Sequence, residues 1–382
     1  LRMAATLPAE QERQVALERE LAEAKSALSA LPAPLVAYVG SVHQGSGAFQ
    51  GTGAAGGKPR VIRVLDRGNV QKPGREVGPG ALPAVPGQQP ARFTLPADAP
   101  EGARRAALAQ WLSRRDNPLT WRSIVNRVWQ YHFGRGLAET PNDFGNMGSG
   151  PTHPELLDWL AVEFRDGGQS FKRLHRLIVL SAAYRRASST DPAAAAQDSD
   201  NRYLWRQNRR KLEAEALRDA VLTVAGRLDR RMGGPSFQDF VVEKPEHSPH
   251  YEYHLHDPED VRTHRRSVYR FLVRSQPQPF MAALDCADPS MQVARRNESV
   301  SPLQALTLLN NSLMLSMSRH WAERLERSAA GLEVQLDLAG REALGRSLTP
   351  TERRELAAYA RQFGLPNTCR LLFNLNEFAF VD

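Results

Sequence analysis

NPLTWRSIVNRVWQYHFGRGLAETPNDFGNMGSGPTHPELLDWLAVEFRDGGQSFKRLHRLIVLSAAYRRAS, residues 117–188, is the stretch whose reading decides the fold. Apolar side chains recur at three- and four-residue spacing on both sides of a loop dense in Gly, Pro and Asn. That period predicts helices over 119–133, 153–166 and 170–185. On the third, Phe171, Leu174, Leu177, Ile178 and Ser181 share one face. Working outward, the same pattern predicts helices over 99–114, 201–226, 302–327, 337–345, 350–363 and 366–376. Leu303, Leu306, Leu309, Leu313 and Met317 make the apolar face of the long one. Asp98, Thr152, Ser301 and Thr349 each stand three residues before Glu or Gln, with Pro in the first turn between them. A side-chain oxygen there satisfies a first-turn N–H, and Pro costs nothing where no amide is needed, so each reads as a helix start.

The first hundred residues differ in character. Residues 8–31 read as an amphipathic helix, the end of a connector from a region upstream, since the chain starts at Leu1 rather than Met. Gly and Pro punctuate 32–97, where LVAYVG (35–40) and VIRVLD (61–66) read as short strands. The glycine-rich run 43–60 lacks the GK[ST] ending of a phosphate loop and reads as a surface loop. Residues 186–200 and 231–264 read as loops, and SVYRFLV (267–273) as a strand. The fold class is therefore mainly α, with a small β-rich, Gly/Pro-rich N-terminal segment, and the boundaries fall at 1–31, 32–97 and 98–382.

Composition excludes several functions. At 382 residues and 41% hydrophobic, the chain buries one large core or two modest ones. No apolar run reaches the roughly 18 residues of a membrane span, and no signal peptide opens the sequence. The net charge is +8, but only six of the 50 basic residues are Lys, leaving 44 Arg scattered among 42 acids. So lopsided a ratio reads as composition first, an anionic ligand surface second and a nucleic-acid surface last. Cys286 and Cys369 sit in no CxxC, CxxCH or zinc spacing, so this segment has no haem attachment motif, and any cofactor stays open. They read as one disulfide or two buried thiols, and the apolar TCRLLFNL around Cys369 favours the thiol.

FGRGL (133–137), TPNDFG (140–145), HPELLDWLA (153–161) and LHRLIVLSAAYR (174–185), in this order, resemble the planctomycete-specific C-terminal domain of unknown function. Further blocks agree: VLDRGNVQKPGREVGPGAL (64–82), NRYLWRQNRRKLEAEALRDAVL (201–222), RRSVYRFLV (265–273), SPLQALTLLNN (301–311) and LLFNLNEFAFVD (371–382). The resemblance implies a companion of planctomycete-type cytochrome c domains in large exported proteins, hence an extracytoplasmic setting. It implies partners among the other domains of the full-length protein, or a co-exported protein. It assigns no reaction. Where Arg67-Gly68-Asn69 stands, the family pattern has an acidic residue after the glycine, so no carboxylate role carries to that position.

Three places could hold chemistry. The loop between the second and third helices gathers His132, Asn142, Asp143, His153, Glu155 and Asp158, types that can form a metal site or an acid/base pair. The bland reading is capping and turn formation. Five of the ten His (247, 250, 254, 256 and 264) crowd one loop, and His254 and His256 alternate as metal ligands on an extended segment would. In the helix-like 209–219, Glu213 and Arg218 are the two residues to test, because an acid of this block could pair with Arg127, Arg265 or Arg266, with buried ion-pair scaffolding as the bland reading. Candidate catalytic residues are thus His132, Asp143, Glu155 and Glu213; candidate ligand contacts are Asn126, Arg127, His153, Asp158 and Arg218. Candidate metal ligands are His132, Asp143, His153, His254 and His256. No G-x-S-x-G or H-E-x-x-H is present, and all six Trp fall on predicted helices as core aromatics. An accessory or interaction domain, an enzyme on carbohydrate or another surface polymer centred on 132–158, and an anionic-polymer-binding module stay open.

Overall fold

The computed structural model describes residues 8–30, 61–81, 91–96, 99–244 and 248–381. The strand reading at 35–40, the glycine-rich run, the Asp98 cap and His247 lie outside them. The chain divides into two compact units, Leu1–Trp111 and Leu112–Asp382. No described helix is long and apolar enough to cross a membrane.

The first unit holds helix α1 (Pro8–Ala30) and the hairpin β1 (Arg63–Asp66) to β2 (Asn69–Glu76). Two-residue strands β3 (Gly80–Ala81) and β4 (Ala91–Arg92) pair antiparallel, and α2 (Glu101–Leu112) follows.

The second unit is mainly helical. It opens with α3 (Pro118–Phe133), α4 (Pro154–Asp166), α5 (Phe171–Val179) and short α6 (Pro192–Gln197). Then come β5 (Arg210–Lys211), α7 (Ala214–Val224), β6 (Val241–Glu243), β7 (His250–Glu252) and α8 (Pro279–Ala283). The chain ends in α9 (Pro302–Asn310), α10 (Ser312–Ser328), α11 (Leu332–Leu344), α12 (Pro350–Phe363), α13 (Leu365–Phe373), α14 (Asn376–Ala379) and β8 (Phe380–Val381).

Two apolar cores fill this unit. Trp121, Val125, Trp129 and Phe133 of α3 meet Leu157, Leu160 and Phe164 of α4 and Leu174 and Ile178 of α5. In the other, Trp321 and Met317 of α10 are enclosed by Leu217 and Val221 of α7, Leu336 of α11, and Cys369, Leu372 and Phe373 of α13. Cys369 is a free, fully buried thiol, and Cys286 is also free. Antiparallel pairing of β5 with β8 brings the chain end beside the segment between the two cores.

Several elements depart from the sequence reading for local reasons. The helix expected over 201–226 exists only as α7. Upstream, Asp198 accepts from the Arg202 and Tyr203 amides, and the Asn201 side chain bonds Arg206 O, the Arg206 amide and Asn208. Such local bonds offer the backbone an alternative to the helix, and Asn201 and Leu204 take positive φ (53° and 56°). Trp205 therefore sits in this turn, donating to Asp198 O at 2.8 Å, and not on a helix. The helix expected to 185 stops at Val179, where Ser181 Oγ accepts from the Tyr184 amide instead. Asn311 divides the expected 302–327 helix, because its side chain accepts from the Leu313 amide and caps a new one. The break resets the face: Leu303 and Leu306 are exposed, while Leu308, Met314 and Met317 are buried. Phe171, at the start of α5, is likewise exposed. Residues 267–269 form a 3-10 turn rather than a strand. Of the caps, Ser301 and Thr349 act as expected, Thr349 in a full capping box. Thr152 does not, since its amide and hydroxyl both go to Leu137 O and His153 takes the cap position.

Lys211 is the most consequential buried charge in the second unit. Only 8% exposed, it donates to Asp285 at 2.8 Å, Ser299 O at 2.7 Å and Gln304 at 2.8 Å. Asp285 also accepts from Ser299 and Gln304, and it holds a positive φ of 68° that this network over-determines. Burial pushes the Asp285 carboxyl up, but Lys211, Ser299 and Gln304 together outweigh it and hold it at about 2. A depressed carboxylate stabilises the fold fully above its ordinary value of 3.8, and the contribution is lost as pH falls toward about 2. Lys211→Met takes the cation from a half-buried carboxylate that keeps its Ser299 and Gln304 donors, so urea unfolding should show a loss of about 3 kcal/mol at neutral pH. The variant should also show a smaller acid-limb loss of stability between 3.8 and about 2 than the parent chain, since the largest lowering influence on Asp285 is gone.

Candidate functional site

The site is built where α3 ends. The apolar spacing of α3 buries Trp129 and Phe133 and leaves Tyr131 exposed and His132 half-buried in the last turn. Gly134 takes φ 79° and stops the helix, a conformation that suits glycine alone among ordinary residues. Two residues on, the chain passes so close to Asn126 that a Cβ on Gly136 would lie 2.7 Å from its amide. Asn126, fully buried, donates to Ala138 O and accepts from the Ala138 amide, both at 2.9 Å, and so clasps the FGRGL turn.

The last carbonyls of a helix have no partner within it. Here side chains of one short segment supply them. Arg210 donates to Tyr131 O, Gln207 to His132 O at 3.4 Å and Asn208 to Phe133 O at 3.0 Å. The segment is held for this task by the Asp198 and Asn201 turn before it and by the β5–β8 pairing after it.

Two adjoining cavities result, sharing Asn208 and Arg210. One, about 430 Å³, is walled by Arg135, Arg206, Arg209, Arg210 and Arg295, with Asp200 and Glu298 as its carboxylates among the described residues. Arg206 lies 5.2 Å over the Trp205 ring, and the Nε atoms of Arg206 and Arg210 are buried without a hydrogen-bond partner. Arg135 reaches Glu139 only at 3.8 Å, so its charge is weakly compensated. The other cavity, about 370 Å³, is lined by Tyr131, His132, Tyr184, Arg210 and Glu213. His132 Nε2 lies 2.7 Å from His175 Nδ1, and its ring meets Tyr184 edge-on. Burial, then His175 and Arg210, push the His132 imidazole below its ordinary 6.5, so it is uncharged at neutral pH. The arrangement can hold an anion among guanidinium donors and set a neutral imidazole and a carboxylate beside it.

Of the sequence candidates, the fold brings His132 and Glu213 to one cavity and sends the others elsewhere. Asp143 accepts from the Gly145 amide within its own turn at 2.8 Å, while neighbouring Asn142 accepts from Arg127. Asp158 is bound by both arms of Arg122, at 2.5 and 2.9 Å. Glu155 is exposed in the first turn of α4. His153 Nδ1 lies 3.0 Å from Thr152 Oγ1, with its ring edge-on to Tyr203. His254 is 3.3 Å from Glu252, and His256 Nε2 is 3.2 Å from Thr263 Oγ1. Among the described residues, no three His, Cys, Asp or Glu stand close enough to share a metal. Arg218 is 4% exposed, and burial pulls its guanidinium down to about 10. It donates to Arg265 O, Thr263 O and Ser267; the acids of that block paired with an Arg are Glu215, on Arg296 at 3.0 Å, and Asp219, 3.6 Å from Arg218 itself. The cavity arginines were missed because 44 scattered Arg read as composition. RQNRRK (206–211) was the available signal, four basic residues in six.

His132 should titrate below 6.5 when followed by NMR, and Arg210→Ala should move its titration upward by removing a nearby positive charge. A His132 titration above 6.5 in the parent chain would contradict the burial argument.

No curated protein and no solved structure matches the chain significantly. A protein-family model described as PSD1, protein of unknown function (DUF1553), matches residues 104–360, which take in α3, the capping segment and the cavity linings apart from Val381. With more than half of its length inside that match, the chain belongs to the PSD1 (DUF1553) family.

Proposed function

We propose that this chain is an accessory binding domain of a larger exported protein, and that it takes an anionic group, such as the sulfate or carboxylate of an acidic polysaccharide, in the arginine-lined cavity. The observation that carries this reading is the guanidinium groups of Arg135, Arg206, Arg210 and Arg295 gathered around one polar cavity of about 430 Å³. Guanidinium forks match sulfate, phosphate and carboxylate geometry, and donors already fixed by the fold lose little entropy on binding. The exported setting and the companionship with planctomycete cytochrome c domains rest on the sequence resemblance. In that setting the partners are the other domains of the full protein, or a protein exported with it.

A second reading, an enzyme acting on the same acidic polymer, is favoured by one feature. His132 and Glu213 line a cavity that shares Arg210 with the anion cradle, so a neutral base and a carboxylate stand beside the charge that would anchor the substrate.

Retention on immobilised dextran sulfate, set against unmodified dextran, tests the proposal. Affinity should fall steeply with added salt, as counterion release requires. The double variant Arg135→Glu/Arg295→Glu changes two exposed side chains and should weaken binding roughly tenfold or more. Unchanged retention would show that the scattered net charge, and not this cavity, attracts the polymer. His132→Gln should leave retention intact under the binding reading, and would abolish polymer cleavage under the enzymatic one.

A further inference from the structure

A groove of about 900 Å³ opens in the same unit, between the 231–241 segment and the 255–265 segment. Its guanidiniums are already engaged within the protein. Arg231 is chelated by Asp229 and Arg262 by Asp260, in both cases with N–O distances down to 2.7 Å. Arg265 donates to Pro235 O and Gly233 O and stacks 4.0 Å over Tyr269. The wall carries three guanidiniums and two carboxylates, Asp257 and Asp260, and Asp229 holds Arg231 from outside the lining, so little charge is left to offer an anion. Exposed apolar side chains alternate with these polar groups: Met232 is 74% exposed, Leu255 51% and Val241 43%.

His256 on the wall carries an acceptor whose tautomer the bonding settles. The Thr263 hydroxyl gives its one proton to Asp260 O at 2.8 Å. Oγ1 is then left to accept, so His256 donates to it from Nε2 at 3.2 Å and keeps the lone pair on Nδ1. Among the described residues, Nδ1 has no protein partner. Behind the wall lies Asp239, between the lining residues Gln238 and Phe240. It is 5% exposed, with Oδ2 accepting from Arg270 at 2.9 Å and Oδ1 buried without a partner.

We propose that this groove binds a neutral saccharide, with the exposed apolar side chains against the C–H faces of the sugar and His256 Nδ1 accepting a hydroxyl. A sugar presents hydroxyl groups and apolar ring faces together and carries no charge, which is the chemistry of this wall. Burial holds His256 below 6.5 against the opposing pull of Asp239, Asp260 and Asp257 and with the help of Arg218. The acceptor is therefore present at neutral pH and disappears only as pH falls through that depressed value. The site is independent of the arginine-lined cavity and of its proposed ligand.

Calorimetric titration of the whole chain with a panel of neutral oligosaccharides (α- and β-linked glucans, mannans, galactans and xylans) tests this. At least one should bind, with an affinity that added salt of about 0.5 M leaves unchanged. His256→Ala should weaken it about tenfold, the size of one hydrogen bond's net contribution. Val241→Glu and Leu255→Glu alter exposed positions, so they should fold normally and also lose binding. Arg135→Glu/Arg295→Glu should bind the saccharide as the parent chain does. Binding of no panel member would overturn the proposal, as would binding that survives both wall variants.

Discussion

The end of α3 depends on donors it does not itself possess. Three of its last carbonyls are satisfied by Gln207, Asn208 and Arg210, which belong to a segment some 75 residues later in the chain. Each bond contributes on the order of 1 kcal/mol, and leaving such carbonyls unmet near the interior costs more. These bonds also join the α3–α4–α5 core to the α7–α10–α13 core, because the same segment runs on into β5 and α7. The cavities at that junction exist because the two cores meet through polar side chains instead of apolar packing.

Arginine serves two purposes here, and burial separates them. Arg218 and Arg270 are inside, each committed to carbonyl or carboxylate acceptors, so Arg218 is spent on holding the 263–267 segment to α7 and Arg270 on pairing Asp239. Arg324 similarly joins Glu342 to Val224 O, and Arg346 joins Glu352 to Glu377. Around the cavity the guanidiniums instead outnumber the carboxylates. An excess of positive charge kept in one place, at some electrostatic cost to the fold, is the physical basis for an anionic ligand. At the 231–265 groove the guanidiniums are instead held by carboxylates or carbonyl oxygens, the difference on which the two proposals of ligand charge rest.

Legibility from sequence followed the range of the interactions. Capping boxes and 3.6-residue periodicity are local, so the starts of α9 and α12 and the course of α3 and α4 could be read directly. Residues 201–206 were misread as helix because Leu204, Trp205 and Leu212 supply an apolar rhythm while Asp198 and Asn201 compete for the backbone. Asn126 was legible as a polar residue on an apolar helix, but its use as a clasp for Ala138 needed the loop in place. His132 and Glu213 were both singled out, yet their shared cavity joins positions 81 apart in sequence.

By itself the sequence determined the mainly α class, the positions of most helices and the family, since each rests on residue order and local periodicity, while it favoured a thiol at Cys369 that the structure then showed to be free. Only the tertiary structure decided which of the many arginines remain concentrated at a cavity and which are consumed as internal donors. Charge pairing depends on distance in space, and Arg135, Arg210 and Arg295 become neighbours only after the two cores have packed.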